Sequence, residues 1–371
     1  MNLVLGALPY FGVAFVISLL FTPIAKRLGF NLGIYAIENK RTVHHGKIVR
    51  FGGLAIYVAF IITMSLLVEA DKTINSIMIG GLFVFLGGVI DDMFDLKPKY
   101  KMLLIMIAAL VPLCFGGIQL GKITLPFITI DFGPISFLIS FVWIIGVANA
   151  INLIDGLDGL AAGVSMIVLC VTGLIGFFMG RRDICVISLI MVGSIAGFLP
   201  YNFHPASIFM GDCGALFLGY MIACLALLGF KTSTFITLGF PIIILFVPLA
   251  DTSLAIIRRK LKGQKISEAD RSHLHHVLMY KIGLSHRNTV LLLYLVTCLF
   301  GFSAIVTFFD EPLGIFILFI LCCIAWVFIE LTGMINPKFH PTIGLLRRTI
   351  HHPIKRDDAF FEANKIHHND K

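Results

Sequence analysis

PISFLISFVWIIGVANAINLIDGLDGLAAGVSMIVLCVTGLIGFFMG, residues 134–180, holds two long apolar runs separated by a short polar turn. A run of about 20 apolar residues crosses a bilayer as a helix. Both runs are far longer than the roughly 10-residue alternating segments of a membrane barrel. The turn carries Asp155 and Asp158 three residues apart, with Gly156 and Gly159 beside them and Asn149 and Asn152 just upstream. Lipid burial does not reward two carboxylates and two amides at helix ends, so the turn needs water, a partner or a ligand.

The rest of the chain repeats the pattern. It has 371 residues, 58% of them hydrophobic and only 13% charged, with a mean hydropathy of +0.96. A soluble domain carries about 25% charged residues. The composition indicates a polytopic membrane protein, and long apolar runs in lipid must be helical to satisfy their backbones. Eleven spans are expected, near 3–25, 52–68, 76–90, 102–118, 134–150, 159–180, 184–200, 214–230, 235–257, 288–309 and 313–333. The N-terminus lacks the basic region of a cleavable signal peptide, and its first run is long enough to span. None of the eight cysteines forms a CxxC pair, and all but Cys213, which is placed in a polar loop, lie in apolar runs. No disulfide framework or zinc site is expected, and nothing points to a nucleic-acid partner.

Basic residues orient the spans. One set of loops holds 24 of the 29 lysines and arginines, which makes that side cytoplasmic, the N-terminus external and the C-terminus internal. Residues 1–335 read as one membrane domain and 336–371 as a basic cytoplasmic tail, lying near anionic head groups. Residues 118–133, IQLGKITLPFITIDFG, read as a short external hairpin or loop. No internal repeat is evident, which argues against an inverted-repeat transporter.

On this topology the acids converge. Asp91, Asp92 and Asp95 follow the third span, Asp155 and Asp158 the fifth, Asp212 precedes the eighth and Asp251 lies near the inner end of the ninth. All fall at the cytoplasmic face. His273, His275 and His276 join them from the loop after the ninth span, beside Arg271. Each cluster has a structural alternative. Asp158 and Asp212 could be helix N-caps, and NAINLIDGLDGLAAG a turn built of Asn, Asp and Gly. For DDMFD a cap is a poor account, because a helix C-terminus disfavours acid and adjacent carboxylates repel. If the helix continues there, Asp91 and Asp95 share a face. Zinc could sit among the histidines, but the carboxylates suit a hard cation better, Mg²⁺ or Mn²⁺. Carboxylates with a divalent cation, basic groups for phosphate oxygens and an apolar groove for a lipid tail together indicate phosphoryl-type transfer between a nucleotide substrate and a lipid phosphate. An ion-coupled transporter is the rival class, since buried carboxylates mark those too.

Four motifs in register, VHHGKIVRFGG (43–53), GGVIDDMFD (87–95), NAINLIDGLDGLAAG (149–163) and FMGDCGALFLG (209–219), carry a resemblance. The chain resembles the polyprenyl-phosphate N-acetylhexosamine-1-phosphate transferases over roughly residues 20–335. HLHH (273–276) is similar to the undecaprenyl-phosphate N-acetylglucosamine branch rather than the muramoyl-pentapeptide branch. The resemblance implies that undecaprenyl phosphate attacks the β-phosphate of UDP-N-acetylglucosamine and releases UMP, in the bacterial inner membrane, with Mg²⁺ or Mn²⁺ and as a homodimer. It further implies Asp91 and Asp92 at the catalytic centre and near the metal, Asp212 as metal ligand, and Asn152, Asp155 and Asp158 on the nucleotide side. Asn202 and Phe209 would contact the nucleotide, Phe209 by stacking on uracil, and His273, His275, His276 and Arg271 the sugar or its phosphate. Lys47 and Arg50 compete for the place of a basic residue in the first motif, where Val49 stands for the usual Pro; Ala215 replaces a small hydroxyl residue in the fourth.

Overall fold

The computed structural model describes residues 2–36, 47–124, 129–230, 241–261, 263 and 273–334. It comprises two compact units, Met1–Cys322 and Cys323–Lys371, and every site residue discussed below belongs to the first. The chain is nearly all helical. In order run α1 (Asn2–Asn31), α2 (Gly53–Leu67), α3 (Lys72–Phe94), α4 (Pro98–Cys114), α5 (Ile135–Ile154), α6 (Leu160–Phe178), α7 (Arg182–Asn202), α8 (Gly211–Phe230), α9 (Phe246–Leu261), α10 (His286–Phe309) and α11 (Glu311–Thr332). A turn at Leu274–His276 runs into a wider π-turn at Val277–Lys281.

Eight of these helices are long and apolar enough to cross a membrane. The other three, α2, α4 and α9, differ from the expected spans in instructive ways. α2 is apolar but only 15 residues long. α4 starts at Pro98, whose missing N–H costs nothing at a first helical position. α9 carries a buried Asp251 and continues past the expected end of the ninth span (235–257) into Arg258, Arg259 and Lys260; residues 235–240 of that span lie outside the described residues. Residues 118–133 do form a hairpin: β3 (Lys122–Thr124) pairs antiparallel with β4 (Thr129–Asp131). A smaller pair joins β1 (Tyr35–Ala36) to β2 (Ile48–Val49).

α8 is the central helix. In its best 18-residue window 94% of the residues are buried, against 6% for α11. A helix apolar all round must be wrapped by others, and α2, α3, α5 and α6 wrap it. Tyr57 and Phe85 stack with centroids 4.1 Å apart, and Phe217 of α8 meets the Tyr57 ring edge-on at 5.2 Å. Tyr220 of α8 is fully buried and donates its hydroxyl proton to the Ile77 carbonyl at 3.2 Å, which satisfies a polar atom that lipid would leave unpaired. This antiparallel wrapping brings the C-terminal ends of α3, α5 and α7 to the same end of the bundle as the N-terminal ends of α2, α4, α6, α8 and α10.

Candidate active site

The first and fourth motifs are joined by backbone. Phe209 N–H donates to the Val49 carbonyl (2.8 Å), Gly52 N–H to the Phe209 carbonyl (2.9 Å) and Gly53 N–H to the Met210 carbonyl (2.7 Å). Gly53 lies against the main chain of Gly214, and Gly88 against that of Cys213. A Cβ at either would collide with backbone, which cannot move aside as a flexible side chain can. These two glycines let α2 and α3 approach the first turn of α8. Cys213 is buried within that turn rather than in a polar loop.

The close approach decides what each acid does. Asp92 of α3 points at the N-terminus of α8, where its Oδ1 accepts from Asp212 N–H and its Oδ2 from Cys213 N–H, each at 2.9 Å. These amides have no partner within their own helix. Asp92 therefore supplies the cap, and the Asp212 carboxylate, inside the first turn, is left for Lys101 and Arg50. Asp91 accepts Leu96 N–H on Oδ1 at 2.8 Å. That bond closes the end of α3, where Asp95 takes a left-handed conformation with φ 50°. The helix stops before Asp95, so Asp91 and Asp95 share no helical face.

Lys101, in the first turn of α4, lies between two carboxylates. Its Nζ is 2.9 Å from Asp91 Oδ2 and 2.6 Å from Asp212 Oδ1. Arg50 reaches the same group from the other side, 3.4 Å from Asp212 and 3.6 Å from Asp92. Burial lowers the pKa of Arg50, but the charges of Asp92 and Asp212 more than offset it and hold it above its ordinary value. Lys47, the other basic candidate of the first motif, is exposed and stands over the Tyr35 ring at 4.8 Å. It does not join the cluster.

Asp155 ends α5 at the same end of the bundle. Burial pushes its carboxyl up to about 8, with the charge of Asp212 adding to the effect. Asp158 is held differently. Its Oδ2 accepts Ala206 N–H at 3.1 Å and meets His204 Nδ1 at 2.8 Å, while its own N–H donates to His286 Nε2 at 3.2 Å. It does not cap α6, whose N-cap is Gly159 with no side-chain hydrogen bond. Asn202 is buried, with Oδ1 accepting Gly159 N–H (3.1 Å) and Nδ2 donating to the Ile208 carbonyl (3.0 Å). Tyr294 of α10 donates to the Gly159 carbonyl. Ligating atoms of Asp158, His204 and His286 lie within 4.8 Å of one another. The two imidazoles, however, stack at 4.2 Å and 23°, and one ion cannot lie in the plane of both rings. The trio is a hydrogen-bonded brace for the turn.

The HLHH segment docks on that turn. His273 Nδ1 meets Asp251 Oδ2 at 2.9 Å, and Asp251 Oδ1 accepts Leu274 N–H at 2.8 Å. His275 packs against Gly156, where a Cβ would come within 2.6 Å of the ring Nε2. Burial first, and then the neighbouring His276, press the pKa of His275 down to about 3, so its ring is neutral. His276 stacks on Tyr280 at 5.7 Å and meets His275 at a tilt of 43°, 4.3 Å away. Asn152 and Phe209 are half-buried. Arg271 lies outside the described residues.

One place suits a divalent cation. Asp91 and Asp212 both aim a carboxylate oxygen at a single point, marked by the Lys101 ammonium. Hard divalent cations take such oxygen ligands, so the donor set fits Mg²⁺ or Mn²⁺. Lys101, His204, His286 and Tyr294 are site residues that the sequence reading did not single out. For Lys101 the signal was present, as a basic run (KPKYK, 97–101) immediately after the acids.

Residues 74–230 match the model of glycosyl transferase family 4. The chain is 41% identical over 347 residues to the probable undecaprenyl-phosphate N-acetylglucosaminyl 1-phosphate transferase of Bacillus subtilis strain 168, covering 91% of this chain and 96% of that relative. The chain belongs to this family. It is a membrane phosphotransferase of the polyprenyl-phosphate N-acetylhexosamine-1-phosphate transferase group. The transferase is also 32% identical to the decaprenyl-phosphate N-acetylglucosaminephosphotransferase of Mycobacterium leprae strain TN, over 81% of this chain and 83% of that one. It is 32% identical to the phospho-N-acetylmuramoyl-pentapeptide-transferase of Thermoanaerobacter sp. strain X514, over 77% and 93%.

Proposed function

We propose that the transferase moves N-acetylglucosamine 1-phosphate from UDP-N-acetylglucosamine to undecaprenyl phosphate, as the first membrane step of a bacterial cell-surface polysaccharide. The observation that carries this reading is the four-charge cluster of Asp91, Asp212, Lys101 and Arg50 at one end of the helix bundle. A lipid phosphate and a sugar-nucleotide diphosphate repel each other, and both repel bare carboxylates. Lys101 and Arg50 place positive charge against phosphate oxygens, Arg50 through a planar fork that suits them. Asp91 and Asp212 would hold Mg²⁺ or Mn²⁺. When bound, that ion supplies charge neutralisation, orientation of the diphosphate and stabilisation of the departing phosphate.

In the reaction a lipid-phosphate oxygen bonds to the β-phosphorus of the donor. The bond from that phosphorus to the bridging oxygen breaks, and UMP leaves with the electron pair. Direct attack is favoured over an aspartyl intermediate because Asp91 and Asp92 are both already engaged, by Lys101 and Leu96 and by two α8 amides respectively. Asp92 serves by fixing Asp212. Asp155, Asn152 and Phe209 face the nucleotide, with Asp158 and Asn202 shaping the turn behind them. His273, His275 and His276 take the sugar and its phosphate. The wider reading has eleven spans, an external N-terminus, a cytoplasmic C-terminus, the site on the inner face of the cytoplasmic membrane, and a homodimer.

The test is UMP release from UDP-N-acetylglucosamine in detergent. It should require undecaprenyl phosphate and stop when a chelator is added. Running the assay with other UDP-N-acetylhexosamines assigns the sugar, and faster turnover of one of them would replace N-acetylglucosamine as donor. No release from any, with uptake in proteoliposomes, would overturn the transferase reading.

A further inference from the structure

Lys101 touches the two carboxylates that suit the divalent cation, and it touches them on the oxygens that would face that cation. Its Nζ is 2.6 Å from Asp212 Oδ1 and 2.9 Å from Asp91 Oδ2. All three side chains are largely shielded, with 19% of Lys101, 17% of Asp212 and 6% of Asp91 exposed. The carboxylates are held from behind: Asp91 by Leu96 N–H, and Asp212 through its own backbone N–H, which donates to Asp92. Two shielded carboxylates aimed at one point repel each other unless a cation lies between them. Arg50 does not fill that role, since its 3.4–3.6 Å contacts reach Asp212 and Asp92 but not Asp91. The lysine is on a rigid element, in the first turn of a helix that Pro98 opens.

We infer that Lys101 is the site's built-in counter-ion, occupying the cation's place in the empty enzyme and giving up its carboxylates when the ion binds. The inference rests on the metal reading above. An ammonium and a divalent ion cannot share the same two oxygens at bonding distance. Binding of the ion therefore frees the Lys101 ammonium, and its flexible stem carries it to the phosphate oxygens beside the ion. The lysine is a positioning residue in the empty site and meets substrate only in the loaded one. The arrangement also keeps two mutually repelling helix ends together before any ion arrives.

The test is Mn²⁺ binding without substrate, followed by the loss of the free-ion EPR signal in detergent. Lys101→Gln should bind Mn²⁺ about tenfold more tightly than the wild type, because a competing positive charge is gone. Lys101→Arg should bind no more tightly than wild type, and Asp212→Asn should lose the site. A second measurement uses the unaltered chain: acylation of Lys101 by an amine-reactive reagent, read by peptide mass spectrometry, should rise severalfold when Mn²⁺ is added. Equal or weaker Mn²⁺ binding by Lys101→Gln, or Lys101 labelling that stays level or falls with Mn²⁺, overturns the inference while leaving the metal reading intact. If neither wild type nor Lys101→Gln binds Mn²⁺ and UMP release survives a chelator, the metal reading falls and this inference falls with it.

Discussion

The two aspartate motifs, DDMFD and LIDGLD, look alike in sequence and divide their labour in the same way. In each, one carboxylate reaches across to the backbone of another segment and the other is left for the proposed chemistry. Asp92 takes two amides of α8, and Asp158 takes Ala206 N–H together with His204. Asp91 is left to Lys101, and Asp155 is left with a carboxyl pushed up to about 8. The difference lies in what each brace holds. Asp92 holds Asp212, so it orders the charges; Asp158 holds the turn between α5 and α6. An acidic motif in a membrane enzyme is thus part hinge pin and part reagent, and which residue does which depends on what stands opposite.

Substitutions can break or sharpen this comparison. The largest effect belongs to the chemical members of the α3–α8 cluster. Asp91→Asn and Asp212→Asn should each lower kcat by about 10²–10³-fold in folded protein, the usual loss for one preorganised electrostatic contact. Near-wild-type turnover for both would remove them from the site. Next comes the brace. Asp92→Ala leaves two buried amides without acceptors and should cost about 1–3 kcal/mol of stability, visible as a lower Tm than that of Asp91→Asn. Identical Tm and kcat changes at positions 91 and 92 would erase the distinction.

A smaller effect concerns Asp155 and pH. Its folded pKa, about 8, lies above the roughly 3.9 of an unfolded Asp. The native chain keeps a proton that the unfolded chain releases. Stability from this group is therefore complete below about pH 4, falls as pH rises, and is gone above about pH 8. Asp155→Asn should flatten the fall in Tm between pH 5 and 9 in metal-free detergent, and parallel curves for the two proteins would refute the assignment. The smallest effect is Asp158→Asn. The amide oxygen still accepts from Ala206 and His204, so stability should change by less than about 1 kcal/mol, with kcat/KM within about tenfold. A loss as large as that at Asp91 would place Asp158 among the reagents.

Much of the fold was legible because lipid permits few solutions. Apolar runs of spanning length must be helices, and the runs located helices at all eleven expected positions, eight of them long and apolar enough to cross. The hairpin at 122–131 was legible from β-branched residues and Pro. Of the ninth span only residues 241–257 are described, and the helix there continues past the expected end into Arg258, Arg259 and Lys260. Within the site, the acids were legible as like charges with no local compensation. Their compensation was legible only in part: the basic run 97–101 follows the acids of α3, but Lys101 lies 111 residues from Asp212, and His286 lies 128 from Asp158. Lys47 and Arg50 were indistinguishable by motif, and only the pairing of Arg50 with Phe209 turned one of them to the cluster.

By itself the sequence determined a helical membrane protein with carboxylates, amides and histidines gathered at one face. Both follow from local physics: the bilayer forces the backbone to satisfy itself, and charge is tolerated only near its edges. The tertiary structure alone decided which carboxylates brace another segment and which face a cation. That choice depends on the two close backbone contacts at Gly53 and Gly88, which bring the start of α8 within hydrogen-bonding range of Asp92 and leave Asp91 and Asp212 facing one cation. No property of an aspartate's own neighbours in the chain encodes what a helix 120 residues away will present to it.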